Sequence, residues 1–183
     1  AWIEINGLVF KIFTNNDIKS RVLKFFFKTI GIAYLSLFSF FVFTRVVQDY
    51  FSLNILYLFL ICICSDIGGF SFGKFFKGKK LTKISPNKTI SGAIGSFILP
   101  FVLIPFHYYI SNEKFNIFPD LIIITLLVSL FCQLGDLFIS YIKREAKLKD
   151  TGDILPGHGG ILDRIDGILL ALPIGIIIWE LLI

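Results

Sequence analysis

With 183 residues, 55% of them hydrophobic and only 17% charged, and a mean hydropathy of +0.80, the chain has too little polar side chain to cover a soluble globule. Lipid has to solvate much of its surface. The formal net charge of +5 rests on 18 Lys and Arg against 13 Asp and Glu, and no nucleic-acid partner is expected.

The chain opens on Ala1-Trp2-Ile3-Glu4-Ile5, which reads as the tail of an earlier helix; no n-region, h-region and cleavage site follow in order, so it is not a signal peptide. Met is absent throughout, and an N-terminally incomplete chain is expected. Five stretches then approach the ~20 apolar residues that span a bilayer: Phe25–Val47, Phe51–Gly73, Ile90–Ile110, Phe118–Ile142 and Asp166–Ile183. In hydrocarbon each must satisfy its own backbone, so the predicted fold is all-α and polytopic, a single domain over 1–183. Pro100, Pro105 and Pro173 fall inside these stretches, where a proline kinks a helix without ending it.

Between the stretches the basic residues alternate in number as five, one, six, one and five. Lys- and Arg-rich connections stay cytoplasmic, so both long charged connections are predicted on that face of the inner membrane. Cys62, Cys64 and Cys132 lie in apolar segments without zinc or disulfide spacing and are read as packing residues. Gly69 and Gly73 have the spacing of a close helix contact.

Asp66 and Asp136 stand inside apolar stretches, where a carboxylate usually faces the bundle interior, pairs with a cation or lines a polar pathway. They precede Lys74 and Lys143 by eight and seven residues, roughly two helical turns at about 1.5 Å per residue. Both can therefore line one cavity, or each can make a structural hydrogen bond or ion pair. In the second connection, Ser85-Pro86-Asn87-Lys88-Thr89 just before an apolar helix offers amides, hydroxyls and an ammonium for a phosphate, or an N-cap with an orienting lysine.

The fourth connection, Lys143 to Asp166, holds Asp150, Asp153, Asp163 and Asp166. Asp163 and Asp166 share a face if the last helix has begun by then, and a hard cation would relieve their repulsion. Helix capping accounts for one of the pair, less easily for both. Leu155-Pro156-Gly157-His158-Gly159-Gly160 can bring backbone amides close to an anion. His158 is read as a phosphate contact or turn former in preference to a proton-transfer group.

The ordered set Ser140-Tyr141-Ile142-Lys143-Arg144, Lys149-Asp150 and Leu155 to Asp166 resembles the signature of the phosphatidate cytidylyltransferases, the CDP-diacylglycerol synthases. Gly135-Asp136-Leu137, Ser65-Asp66, Gly73-Lys74 and Ser85-Pro86-Asn87-Lys88-Thr89 extend it over most of the chain from about residue 55 onward. Ile90 and Ser91 depart from it, standing where the family usually has tryptophan and glutamate.

The resemblance implies attack by a phosphate oxygen of phosphatidic acid on the α-phosphorus of CTP, yielding CDP-diacylglycerol and pyrophosphate. It implies Mg2+, with K+ as a candidate second cation, held by Asp136 and Asp163 first and by Asp150 and Asp166 next. Lys143, Arg144, Lys149 and Arg164 would contact phosphates, joined by Ser85, Lys88, Thr89, His158 and Gly159. A homodimer is a candidate assembly. The competing readings are a CTP-dependent polyprenol kinase, an ion-coupled transporter built on Asp66 and Asp136, and an inactive membrane scaffold.

Overall fold

The computed structural model describes residues 1–14, 17–48, 53–82, 85, 88–111, 118–152 and 159–183. Among these residues seven α-helices follow in order: α1 (Trp2–Ile12), α2 (Ile18–Gln48), α3 (Leu53–Phe76), α4 (Ile90–Ile98), α5 (Leu103–Ser111), α6 (Phe118–Glu145) and α7 (Leu162–Leu182). A 3-10 turn, Leu99–Val102, joins α4 to α5. Among the described residues there is no strand, and an isolated bridge joins Lys80 to Thr89.

Five segments are long and apolar enough to cross a membrane: Ile18–Val47, Leu53–Phe76, Ile90–Ser111, Phe118–Glu145 and Leu162–Leu182. They coincide with the five predicted stretches, and the chain is a multi-pass membrane protein. The largest differences are at two starts, α2 beginning at Ile18 rather than Phe25 and α7 at Leu162 rather than Asp166, while α3 and α6 run on to Phe76 and Glu145 rather than ending at Gly73 and Ile142. A hydropathy window stops at charged residues, whereas a helix continues through them when their side chains meet solvent or a polar partner. The opening residues form a further helix, α1, whose 11 residues extend about 16 Å at 1.5 Å each.

The prolines act in two ways. Pro100 lies in the 3-10 turn that bends the third span. Pro173 stays inside α7, where its missing N–H leaves the carbonyl four residues earlier, that of Leu169, without its helical donor. The Tyr34 hydroxyl of α2 donates to Leu169 O at 2.5 Å and replaces it. An Arg45–Glu180 ion pair joins the same two helices nearer their far ends.

The core lies where α3, α6 and α7 meet, with Leu58, Ile61, Cys62, Leu121, Ile124, Val128, Cys132 and Leu172 buried. Cys62 and Cys132 are buried free thiols, as a packing role requires, and Cys64 is half-buried. Small residues bring the helices together: a Cβ on Gly92 of α4 would lie 2.6 Å from Gly69 O and 3.4 Å from Gly73 Cα of α3. The Gly69 and Gly73 spacing thus marks a close crossing, completed by glycines on α4. A second cluster of Leu8, Ala146, Leu162 and Leu169 seats α1 beside the C-terminal end of α6 and the start of α7.

Candidate active site

A cavity of about 480 Å³ opens where α3, α6 and α7 meet the segment leading into α4. Asp66 reaches it from α3 and Asp136 from α6, while Asp150, Asp163 and Asp166 reach it from the fourth connection and the start of α7. Lys88, Lys143 and Arg164 line the same wall, together with Ser85 and Thr89. Among the described residues five carboxylates thus face three basic groups, and Asp136 lies within electrostatic reach of both Asp66 and Asp166.

The acids differ in what holds them. Asp136 forms an ion pair with Lys88 and accepts from Ser140 Oγ at 3.3 Å, one turn along α6. Asp166 accepts from the N–H of Gly167 at 2.9 Å. Asp163 is far more engaged: Oδ1 accepts from Lys143 Nζ at 2.7 Å, and Oδ2 accepts from Thr151 N at 2.8 Å, Thr151 Oγ1 at 2.9 Å and Gly160 N at 3.0 Å. Those bonds occupy about as many lone pairs as an ionised carboxylate offers. Asp163 therefore organises the loop around itself. Gly159, at φ +78°, sits against this arrangement, and a Cβ there would lie 3.1 Å from Asp163 Oδ2.

The start of α4 is capped by Thr89, whose Oγ1 accepts from Gly92 N at 3.1 Å. Ser91 is not among the residues lining the cavity. Its Oγ donates to Lys77 O at 2.6 Å and pins the turn that follows α3, where Lys77 has φ +48° and Gly78 φ +135°. The departure at Ser91 thus falls on a turn contact one hydrogen bond behind the cavity wall, its Oγ lying 3.0 Å from Thr89 Oγ1.

The structure gathers most of the residues expected from the sequence and leaves others aside. Ser85, Lys88, Thr89, Asp136, Lys143, Asp150, Asp163, Arg164 and Asp166 share the cavity, with Asp66 beside them. Arg144 is turned away, its Nη1 donating to Leu148 O at 3.0 Å, and Lys149 is exposed outside the wall. His158, Asp153 and Leu155 to Gly157 lie outside the described residues, as do Lys83, Ile84, Pro86 and Asn87. Among the described residues no three Asp, Glu, His or Cys side chains are close enough to form a ready-made metal cage. The expected metal ligands share a cavity without being gathered round one point.

Several participants were not read from the sequence. Thr151 supplies two of the bonds to Asp163, and Gln133 lines the cavity at membrane depth. Glu4 of α1 accepts from the N–H groups of Ile161 at 2.7 Å and Leu162 at 2.8 Å, beside the first turn of α7. The signal for Glu4 was an acid one turn before Leu8, on the face that α1 buries.

The description "Cytidylyltransferase family" matches residues 2–182. Over 125 residues the chain is 47% identical to a protein of Staphylococcus aureus (strain COL) named phosphatidate cytidylyltransferase, covering 66% of this chain and 46% of that protein. Proteins of the same name from Staphylococcus haemolyticus and Rickettsia felis are 44% and 43% identical over 121 and 127 residues, covering 66% and 65% of this chain and 46% and 56% of theirs. The chain spans about half the length of these curated relatives. A match from near its first residue to its last, over a cavity built from the signature residues, establishes that the chain belongs to the cytidylyltransferase family.

Proposed function

We propose that this cavity transfers a cytidylyl group from CTP to phosphatidic acid, releasing pyrophosphate, on the cytoplasmic face of the inner membrane. The observation that carries the reading is the joining of two phosphate-binding chemistries in one cavity among membrane-length helices. The hydroxyls and ammonium of Ser85, Lys88 and Thr89 face the acids and bases of α6 and α7. The names of the relatives supply the reaction class.

A phosphate oxygen of the lipid forms a bond to the α-phosphorus of CTP, and the bond from that phosphorus to the oxygen bridging the β-phosphate breaks. The electron pair leaves with pyrophosphate. The nucleophile is already an anion, so no side chain need deprotonate it. The chain's task is to align two anions and neutralise their charge. Lys88, Lys143 and Arg164 would hold phosphate oxygens, Arg164 being suited to bidentate contact, and the Thr89 cap would present the start of α4 to the anion.

The donor set suits a hard divalent cation. Among the described residues five carboxylates stand against three basic groups in the wall, and a triphosphate with a lipid phosphate adds further negative charge. Asp136 and Asp166, with fewer hydrogen-bond donors on them from the described residues than Asp163, would hold Mg2+ together with substrate oxygens and water, and Asp163 would share the Oδ1 edge now held by Lys143. When bound, the ion would neutralise charge on the phosphates and the leaving pyrophosphate. K+ is the proposed second cation.

The test is an assay of the purified full-length protein with CTP, phosphatidic acid and Mg2+, following the products from differently labelled CTP. CDP-diacylglycerol and pyrophosphate are expected, lost on chelation with EDTA and restored by Mg2+. Transfer of the γ-phosphate with release of CDP would instead identify a lipid kinase. Ion flux in proteoliposomes without CTP turnover would identify a transporter.

A further inference from the structure

The carboxylate of Glu4 is 3% exposed and belongs to the short helix α1, which does not line the cavity. Burial of a carboxylate is unfavourable unless it is strongly hydrogen-bonded. Here the compensation comes from the end of another helix, beside an ion pair between Oε2 and the amino group of Ala1 at 3.3 Å. Oε1 accepts from Ile161 N and Oε2 from Leu162 N, both charge-assisted bonds at the positive end of α7.

The preceding amide, that of Gly160, is taken by Asp163 Oδ2. Three consecutive N–H groups are thus divided between two carboxylates, one inside the cavity and one behind it. No side chain could stand between them. A Cβ on Gly160 would collide with Thr151 Oγ1 and Glu4 Oε1, and Thr151 is the residue that closes the far side of Asp163.

We propose that Glu4 is a positioning residue: by clamping the Ile161 and Leu162 amides it fixes the first turn of α7, and with it the orientation of Asp163 in the cavity. Its consequence for turnover rests on the cytidylyl-transfer reading; its consequence for Asp163 does not. The opposing account is a simple tether, in which Glu4 only helps Leu8 hold α1 against the α7 cluster.

Glu4→Gln separates the two, because the amide carbonyl can accept from one N–H while its NH2 faces the other. Amide hydrogen exchange resolved to single residues would be measured on full-length wild type, Glu4→Gln and Leu8→Ala in nanodiscs. In Glu4→Gln, exchange should quicken at least about tenfold at Ile161 and Leu162, and also at Gly160 and Thr151, the amides held by Asp163, with the core of α3 unchanged. Leu8→Ala should leave Gly160 and Thr151 protected. Unchanged protection of those two amides in Glu4→Gln, or equal loss in Leu8→Ala, overturns the proposal.

If Glu4→Gln does not fold, Glu4→Asp, which withdraws the carboxylate by one methylene, carries the same comparison. In turnover, Glu4→Gln should raise half-saturating CTP at least about fivefold, whereas a tether lowers kcat alone; a fall in kcat alone counts against the proposal. A wild type that consumes no CTP defeats the cytidylyl-transfer reading, and the exchange comparison still decides the role of Glu4.

Discussion

Lys88, two residues before α4, forms an ion pair with Asp136 of α6 across the cavity, and each side chain is 27% exposed. The pair joins the segment before α4 to α6 in one site. A partly exposed pair of this kind contributes only about 0–1 kcal/mol to stability. Lys88→Met and Asp136→Asn should therefore fold with little change in melting temperature. Both groups face the charges of the proposed reaction, so turnover of CTP should fall at least about a hundredfold in each. Thermal unfolding and turnover measured on the same preparations check this; a loss of folding in step with activity would make the pair structural.

Asp163→Asn should behave differently. The carboxylate accepts four hydrogen bonds, whereas an asparagine side chain offers one acceptor oxygen and brings two donors of its own. Thr151 N, Thr151 Oγ1, Gly160 N and Lys143 Nζ cannot all keep a partner. Losing charge-assisted bonds of this kind costs about 1.5–3 kcal/mol, so the variant should show a lower melting temperature together with at least about a hundredfold lower turnover. Activity lost with an unchanged melting temperature would show that Asp163 does not organise the loop.

The contrast between these two acids marks how far the sequence could be read. Asp66 and Asp136 stood out because carboxylates are rare in apolar helices, and their depth of two turns allowed a shared cavity as one of two readings. The five spans were legible for the same reason, since hydropathy reports the environment of a continuous segment. Contacts between distant segments were not legible. Glu4 meets amides 157 and 158 positions away, and no local pattern names such a partner. Arg144 and Lys149 looked equivalent to Lys143 by type and proximity, yet helical phase and the turn after α6, where Lys147 has φ +55°, direct only Lys143 to Asp163.

Gly135→Ala tests whether helix spacing sets the site. A Cβ there would lie 2.8 Å from Asp166 O, 3.1 Å from Leu170 Cβ and 3.2 Å from Gly167 Cα, all on α7. Alanine gains up to about 1 kcal/mol of helix propensity, while overpacking costs about 1–3 kcal/mol. Overpacking should win because backbone atoms cannot swing aside. The crossing should open and carry Asp136, the next residue, away from Asp166. The expected outcome is a lower melting temperature with at least about tenfold lower turnover; a more stable, fully active variant would show that the crossing tolerates separation.

Tyr34 and Pro173 make a prediction remote from the cavity. The Tyr34 hydroxyl donates to Leu169 O, the carbonyl left without its helical donor by Pro173. Tyr34→Phe leaves that carbonyl unpaired in an apolar setting, at a cost of about 1–3 kcal/mol. Pro173→Ala restores an N–H at the position that serves Leu169 O, so in that background Tyr34→Phe should cost much less. The two substitutions should therefore couple by about 1 kcal/mol or more in a double-mutant cycle, measured by reversible unfolding in mixed micelles. Strict additivity would mean that the tyrosine bond is incidental and that α7 accommodates its proline by bending alone.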